Sequence, residues 1–176
     1  MFSGMPNIFE GLSEPSGIFL NEDVLSPEFQ PDVFPGREKE LKELALNLNP
    51  ILESRKNAEI LVFGPPGTGK TSCVNRVLTE LKEFSSSVEC IYINCWTHSS
   101  RQSVLTRASH ALGAAIPRRG LSSDEVFDSF DECLKKSGKK IVIALDEVDR
   151  LFFNGQEKVL YDFTRTLSEK LSLVFL

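Results

Sequence analysis

No stretch of this chain approaches the roughly 20 consecutive apolar residues that a membrane-spanning helix requires, so a membrane partner is not expected. The first seven residues lack both a basic start and an apolar signal region, which argues against secretion. Cysteine is sparse. Cys73, Cys90, Cys95 and Cys133 stand apart with no Cys-x-x-Cys pair, and in a reducing compartment they read as small apolar residues. Cys95 and His98 form half of a zinc site, but no second pair completes four ligands. Internal repeats and low-complexity tracts are also missing. The most informative gap is local: residues 97–120 contain neither Asp nor Glu.

What is present suits one globular domain. The 176 residues are 41% hydrophobic and 26% charged, enough to bury a sizeable core without disulfides. The net charge of −5 argues, taken globally, against a nucleic-acid binder. The acid-free segment reverses that locally, because Arg101, Arg107, Arg118 and Arg119 all fall within it. It is a basic island in an acidic chain. Its residues read equally as a solvated helical face and as contacts to DNA.

Residues 1–17, rich in Gly, Pro and Ser, read as a flexible N-terminal arm. Residues 18–36 look extended, punctuated by Pro27, Pro31 and Pro35. A helix is expected from about Arg37, with Leu41, Leu44, Ala45, Leu48, Ile51 and Leu52 on one face, kinked or ended by Pro50 near Asn49. Residues 60–63 form a short apolar run that suits a buried parallel strand. The following helix carries Val74, Val77, Leu78 and Leu81 on one stripe. A second strand is expected at 90–94, then a helix from about Arg101 to Leu112 stopped by Gly113. Ser122 and Glu125 form a capping box, with Leu121 and Val126 as its staple. The helix they open carries Val126, Phe127, Phe130, Cys133 and Leu134, and Gly138 ends it. A third strand at 141–145, a helix carrying Val159, Leu160, Phe163 and Leu167, and a fourth strand at 171–176 complete the pattern. Strands alternating with helices predict a three-layer α/β domain with a parallel sheet.

Two motifs carry chemistry. Gly64-Pro65-Pro66-Gly67-Thr68-Gly69-Lys70-Thr71, with Ser72 next, matches the phosphate-binding pattern G-x-x-x-x-G-K-[ST] in full, and it follows a strand and opens a helix. Its glycines let backbone N–H groups wrap phosphate oxygens at a helix N-terminus. Lys70 should reach the β- and γ-phosphates of ATP, and the Thr71 hydroxyl should ligate Mg²⁺. Asp146-Glu147 closes the apolar run at 141–145, and a carboxylate at the carboxyl end of a buried strand faces the ligand crevice of a parallel sheet. Asp146 is therefore a second Mg²⁺ candidate and Glu147 the candidate that polarises a water for in-line attack.

Together these residues resemble the AAA+ ATPases. Leu145-Asp146-Glu147-Val148-Asp149-Arg150-Leu151 is similar to the acidic motif of their replication-initiator clade, the origin-recognition and cell-division-cycle proteins. Ile18-Phe19-Leu20-Asn21-Glu22 with Leu25 resembles that clade's N-terminal linker. Pro35-Gly36-Arg37-Glu38 with Glu40-Leu41 resembles its segment near adenine. Asn94-Cys95, the basic helix and Gly120-Leu121-Ser122 resemble its insertion, about residues 97–121, which touches origin DNA.

The resemblance covers residues 18–176 and implies an ATP-binding, and in the family ATP-hydrolysing, module of an origin-recognition protein. It implies ATP or ADP and Mg²⁺ as cofactors, with double-stranded DNA and other AAA+ subunits or replication proteins as partners. A cytoplasmic location follows, nucleoid-associated in an archaeon and nuclear in a eukaryote. Val33, Phe34 and Arg37 would border the adenine, and the sheet order would be 1-4-3-2. The family continues past residue 176 with a polar sensor, a fifth strand, an arginine finger, a lid and a winged helix. The core is therefore expected to be incomplete at its C-terminal end, with turnover weak or absent and residues 60–63 at a sheet edge. Two alternatives stay open: a clamp-loader ATPase, and a non-hydrolysing regulator that pairs with a full-length relative.

Overall fold

A computed structural model describes residues 31, 33–53, 57–117, 120–166 and 171–176. The chain divides into two units, Met1–Val33 and Phe34–Leu176. Of the first, Pro31 and Val33 are described, and Val33 is 70% exposed. The expected arm at 1–17 and the linker-like stretch from Ile18 to Leu25 lie outside the described residues. Every element below belongs to the second unit.

Four parallel strands form its centre: β1 (Glu59–Leu61), β2 (Val88–Asn94), β3 (Lys140–Asp146) and β4 (Leu171–Phe175). Their order is β1-β4-β3-β2, as the resemblance implied. β2 and β3 pair over seven residues, from Val88↔Lys140 to Asn94↔Asp146. β3 pairs with β4 from Ile141↔Leu171 to Leu145↔Phe175, and β4 with β1 from Leu173↔Glu59 to Phe175↔Leu61. β3 is buried along almost its whole length, so Ile141-Val142-Ile143-Ala144-Leu145 reads as an unbroken apolar run. β1 lies at the edge, with Leu61 65% and Phe63 86% exposed.

Strand alternation sends side chains to two faces, and a helical layer covers each. On one face Val142, Ala144, Val174, Val88, Cys90 and Tyr92 pack against α1 (Glu38–Leu52) and α2 (Lys70–Phe84). On the other, Ile91, Ile93, Ile141, Ile143, Leu145, Leu171 and Leu173 pack against α3 (Arg101–Ala111), α4 (Ser123–Lys136), α5 (Asp149–Phe153) and α6 (Lys158–Tyr161). The three-layer α/β sandwich expected from the sequence is therefore present, with the crevice at the carboxyl ends of the strands.

Local signals set several helix ends. Ser122 accepts from the Glu125 amide at 3.2 Å while Glu125 Oε2 accepts from the Ser122 amide at 2.7 Å, the reciprocal cap read from the sequence. A second cap at Ser100, reciprocated by Ser103, starts α3.

Three expectations need correction. α1 neither ends near Asn49 nor leaves Pro50 outside; it runs through Pro50 to Leu52. An interior proline costs roughly 3 kcal/mol. Here the ring sits in the last turn, and Ile51 beside it is 2% exposed, which returns about 1.5–3 kcal/mol. The buried face of α1 is also narrower than expected: Leu44, Leu48 and Ile51 are buried, Leu41 and Leu52 partly so, and Ala45 is exposed. The helix expected around Val159 is α6 followed by a π-helical turn, Asp162–Thr166. The wider turn allows adjacent residues Asp162 and Phe163 both to face inward, at 6% and 2% exposure. Phe163 meets Phe130 of α4 with ring centroids 5.7 Å apart. Leu167 lies outside the described residues.

Candidate nucleotide-binding site

The loop between β1 and α2 is shaped by residues that only partly satisfy one another. Gly67 and Gly69 take φ of +75° and +82°, a left-handed backbone that strains any residue with a Cβ. Gly69 occupies the N-cap position of α2, and no side chain caps that helix. Its first-turn N–H groups are thus directed at the loop, where the helix dipole favours an anion. Thr68 Oγ1 donates to the Pro65 carbonyl at 2.8 Å and closes the loop on itself. Lys70 Nζ donates to the carbonyls of Gly64 and Pro65 at 3.0 and 3.2 Å, which holds its ammonium against the same loop.

β3 brings the acidic pair to the same place. Asp146, 5% exposed, accepts on Oδ2 from Thr71 Oγ1 at 2.8 Å, across 75 positions of sequence. Its Oδ1 accepts from the Glu147 amide at 3.0 Å. Glu147 is exposed and has φ +55°, and among the described residues no other non-glycine has a positive φ. A hydroxyl and a carboxylate at the N-terminus of a phosphate-binding helix are hard oxygen donors, a set that fits Mg²⁺. Lys70, Thr71, Asp146 and Glu147 line one open cleft of about 670 Å³ with Gly64, Pro66, Gly67, Gly69 and Ser72.

The segment before α1 is tied to this loop. The Arg37 amide donates to the Phe34 carbonyl at 3.1 Å across the Pro35-Gly36 turn, and Arg37 Nη2 donates to the Thr68 carbonyl at 3.0 Å. Arg37 Nη1 also pairs with Glu40 at 2.8 Å. Arg37 is therefore joined to the phosphate loop, and Phe34, three positions before it, is half-buried. Val33 is exposed and belongs to the other unit.

The basic island divides. Arg101 was expected as a DNA contact, and the structure contradicts this: the residue is 8% exposed. Its guanidinium pairs with Asp162 at 2.6 Å and Asp124 at 2.7 Å and lies 5.7 Å from the Phe127 ring. The only arginine in the first turn of α3 is thus buried, joining three elements through two carboxylates. Arg107 is exposed and lines an open groove of about 390 Å³ with His98, Ser103, Thr106 and His110. Arg118 and Arg119 lie outside the described residues. Cys95 is fully buried, and burial, then Asp146, Asp149 and Glu147, push its thiol up to about 12. Among the described residues no group of three His, Cys, Asp or Glu could hold a metal ion.

Sequence reasoning missed Tyr92, whose hydroxyl donates to Asp146 Oδ2 at 2.6 Å. It also missed Arg150, whose guanidinium carbon lies 3.2 Å from the centroid of the half-exposed Trp96 ring. The alternation of β2 was the available signal for Tyr92, since it places that residue on the face that ends at Asn94, the register partner of Asp146.

The sheet order, the uncapped helix after a glycine loop and the carboxylate at the end of β3 define a P-loop nucleotide-binding domain. Residues 54–176 match the family described as AAA domain, and the chain belongs to that family. It is similar to the ORC1-type DNA replication protein 1 of Archaeoglobus fulgidus, 35% identical over 167 residues, covering 93% of this chain and 41% of that protein. It is 34% identical to the ORC1-type DNA replication protein of Thermococcus kodakarensis, covering 94% of this chain and 42% of that one. The chain thus spans about two-fifths of the length of these relatives. Among solved structures, the Aeropyrum pernix Orc1 protein in complex with DNA superimposes with a TM-score of 0.80 at 37% identity, over 87% of this chain and 41% of that one. Cdc6p from Pyrobaculum aerophilum shares the fold, with a TM-score of 0.70 at 24% identity over 89% of this chain and 42% of that one.

Proposed function

We propose that this chain is the AAA+ module through which a DNA replication origin-recognition protein binds ATP or ADP with Mg²⁺. The observation that carries the reading is the meeting of Lys70, Thr71 and Asp146 at the uncapped start of α2. The α2 amides and the Lys70 ammonium bind the phosphates, exchanging two loop carbonyls for phosphate oxygens. Thr71 and Asp146 would hold the cation, which would supply positive charge to offset that of the phosphates. Phe34 and Arg37 would border the adenine, a reading supported by the bond from Arg37 to the Thr68 carbonyl of the loop.

Hydrolysis falls to Glu147, whose carboxylate accepts a proton from a water aligned with the γ-phosphate. Double-stranded DNA is the proposed macromolecular partner, with Arg107, Arg118 and Arg119 as its contacts. The DNA-bound Aeropyrum relative and the absence of acids from 97–120 support this. Other AAA+ subunits or replication proteins complete the assembly, in the cytoplasm or nucleoid of an archaeon or the nucleus of a eukaryote. ATP turnover measured beside Glu147→Gln tests the reading. The variant should bind ATP as the parent does and hydrolyse none; equal turnover by both would exclude Glu147 as the base.

A further inference from the structure

Asp146 Oδ2 receives two hydroxyl donors: Thr71 Oγ1 from α2 at 2.8 Å and the Tyr92 hydroxyl from β2 at 2.6 Å. A carboxylate oxygen offers two in-plane lone pairs, so both are occupied, and the Glu147 amide holds Oδ1. The Tyr92 contact falls in the short range of hydrogen bonds to an ionised acceptor. Its ring packs in the layer between the sheet and α2. One oxygen atom therefore ties together the phosphate-binding helix and two neighbouring strands.

We propose that Tyr92 is a positioning residue for the cation site: its hydroxyl fixes the Asp146 carboxylate, which accepts the Thr71 hydrogen bond and so leaves a Thr71 Oγ1 lone pair free for Mg²⁺. The inference rests on the nucleotide-site reading above. The terminal torsion of an aspartate is broad and roughly two-fold, so a carboxylate left with the Thr71 hydroxyl and the amide of the adjoining Glu147 can turn. Two donors from different elements prevent that. Loss of the Tyr92 hydroxyl lets the carboxylate rotate, and the Thr71 hydroxyl then loses the acceptor that orients its lone pair. The ADP-binding amides and Lys70 do not touch Tyr92, so the effect is confined to the metal-dependent part of binding.

The test is ADP titration by calorimetry in excess MgCl₂ and in EDTA, using the whole chain and Tyr92→Phe, which keeps the ring. Tyr92→Phe should bind ADP in EDTA as the parent does. It should lose about tenfold of the affinity that Mg²⁺ adds, as expected for one hydrogen bond to a charged group. In an Asp146→Asn background, where no charge remains to be held, Tyr92→Phe should change that increment no further. An unchanged Mg²⁺ increment in Tyr92→Phe, or an equal loss in both buffers, would show that Tyr92 only packs and would overturn the proposal. Failure of the parent to bind ADP in either buffer would instead overturn the nucleotide-site reading, and this proposal with it.

Discussion

Arg101 Nε donates to Asp162 Oδ2 at 2.6 Å, and both side chains are more than nine-tenths buried. The pair fastens the first turn of α3 to the π-helical turn, while the second arm of the guanidinium reaches Asp124 of α4. Asp124 is largely exposed, so its bond contributes little. The Asp162 bond is the one isolated from water.

Removing one partner of a buried pair strands the other as an uncompensated charge, at a cost of about 3–5 kcal/mol. Arg101→Met should therefore lower unfolding free energy by about that amount in urea titrations. Arg101→Met combined with Asp162→Leu should recover most of the loss, because no charge is then left buried. A single variant within about 0.5 kcal/mol of the parent, the usual effect of a surface substitution, would mean that Arg101 is a surface residue after all.

Arg101 also shows where the sequence stops being legible. Its type, its neighbours and the acid-free segment all suggested a DNA-facing cation, because the partner that buries it lies 61 positions away. Tyr92 and Asp146, 54 positions apart, were hidden in the same way. Periodicity reports which face of an element is apolar, so the strands, the α2 stripe and the capping box at Ser122 could be read directly. The phosphate loop could be read too, since its chemistry is contiguous. Pro50 and the π-helical turn could not, because tertiary burial of Ile51, Asp162 and Phe163 overrides local preference there.

Glu147 holds φ +55°, and a non-glycine residue in a sparsely populated backbone region costs on the order of 1–3 kcal/mol. Glu147→Gly should be more stable than Glu147→Ala by about 1 kcal/mol in thermal or urea unfolding. If Ala is the more stable of the two, as in an ordinary helix or turn, the backbone carries no strain at this position.

The thiols make a chemical prediction. Burial pushes Cys90 up to about 11 and Cys95 up to about 12, and the thiolate is the form that reacts. Near pH 7 both should resist a disulfide reagent in the folded chain and react only as pH climbs towards those values or in denaturant. Rapid labelling of Cys95 near pH 7, located by peptide mapping, would contradict its burial.

For DNA, Arg107→Glu with Arg118→Glu and Arg119→Glu should abolish duplex binding that is already weak and salt-sensitive. Phosphate contacts make the logarithm of affinity fall linearly with that of salt, so the slope should flatten as the arginines are removed. Arg101 is left intact so that stability is unchanged. If the triple variant binds duplex as the parent does, with the same salt slope in fluorescence anisotropy, the island is a solvated face.

The central claim is that the loop at 64–71 binds nucleotide phosphates through the α2 amides and Lys70. Calorimetric titration of the chain and of Lys70→Ala with ADP in excess Mg²⁺ tests it most directly. Among the described residues Lys70 makes its hydrogen bonds only within the loop, so the variant should fold normally. The parent should bind saturably and one-to-one, and Lys70→Ala should show no measurable binding at the same concentrations. Equal affinity in the two proteins would contradict it.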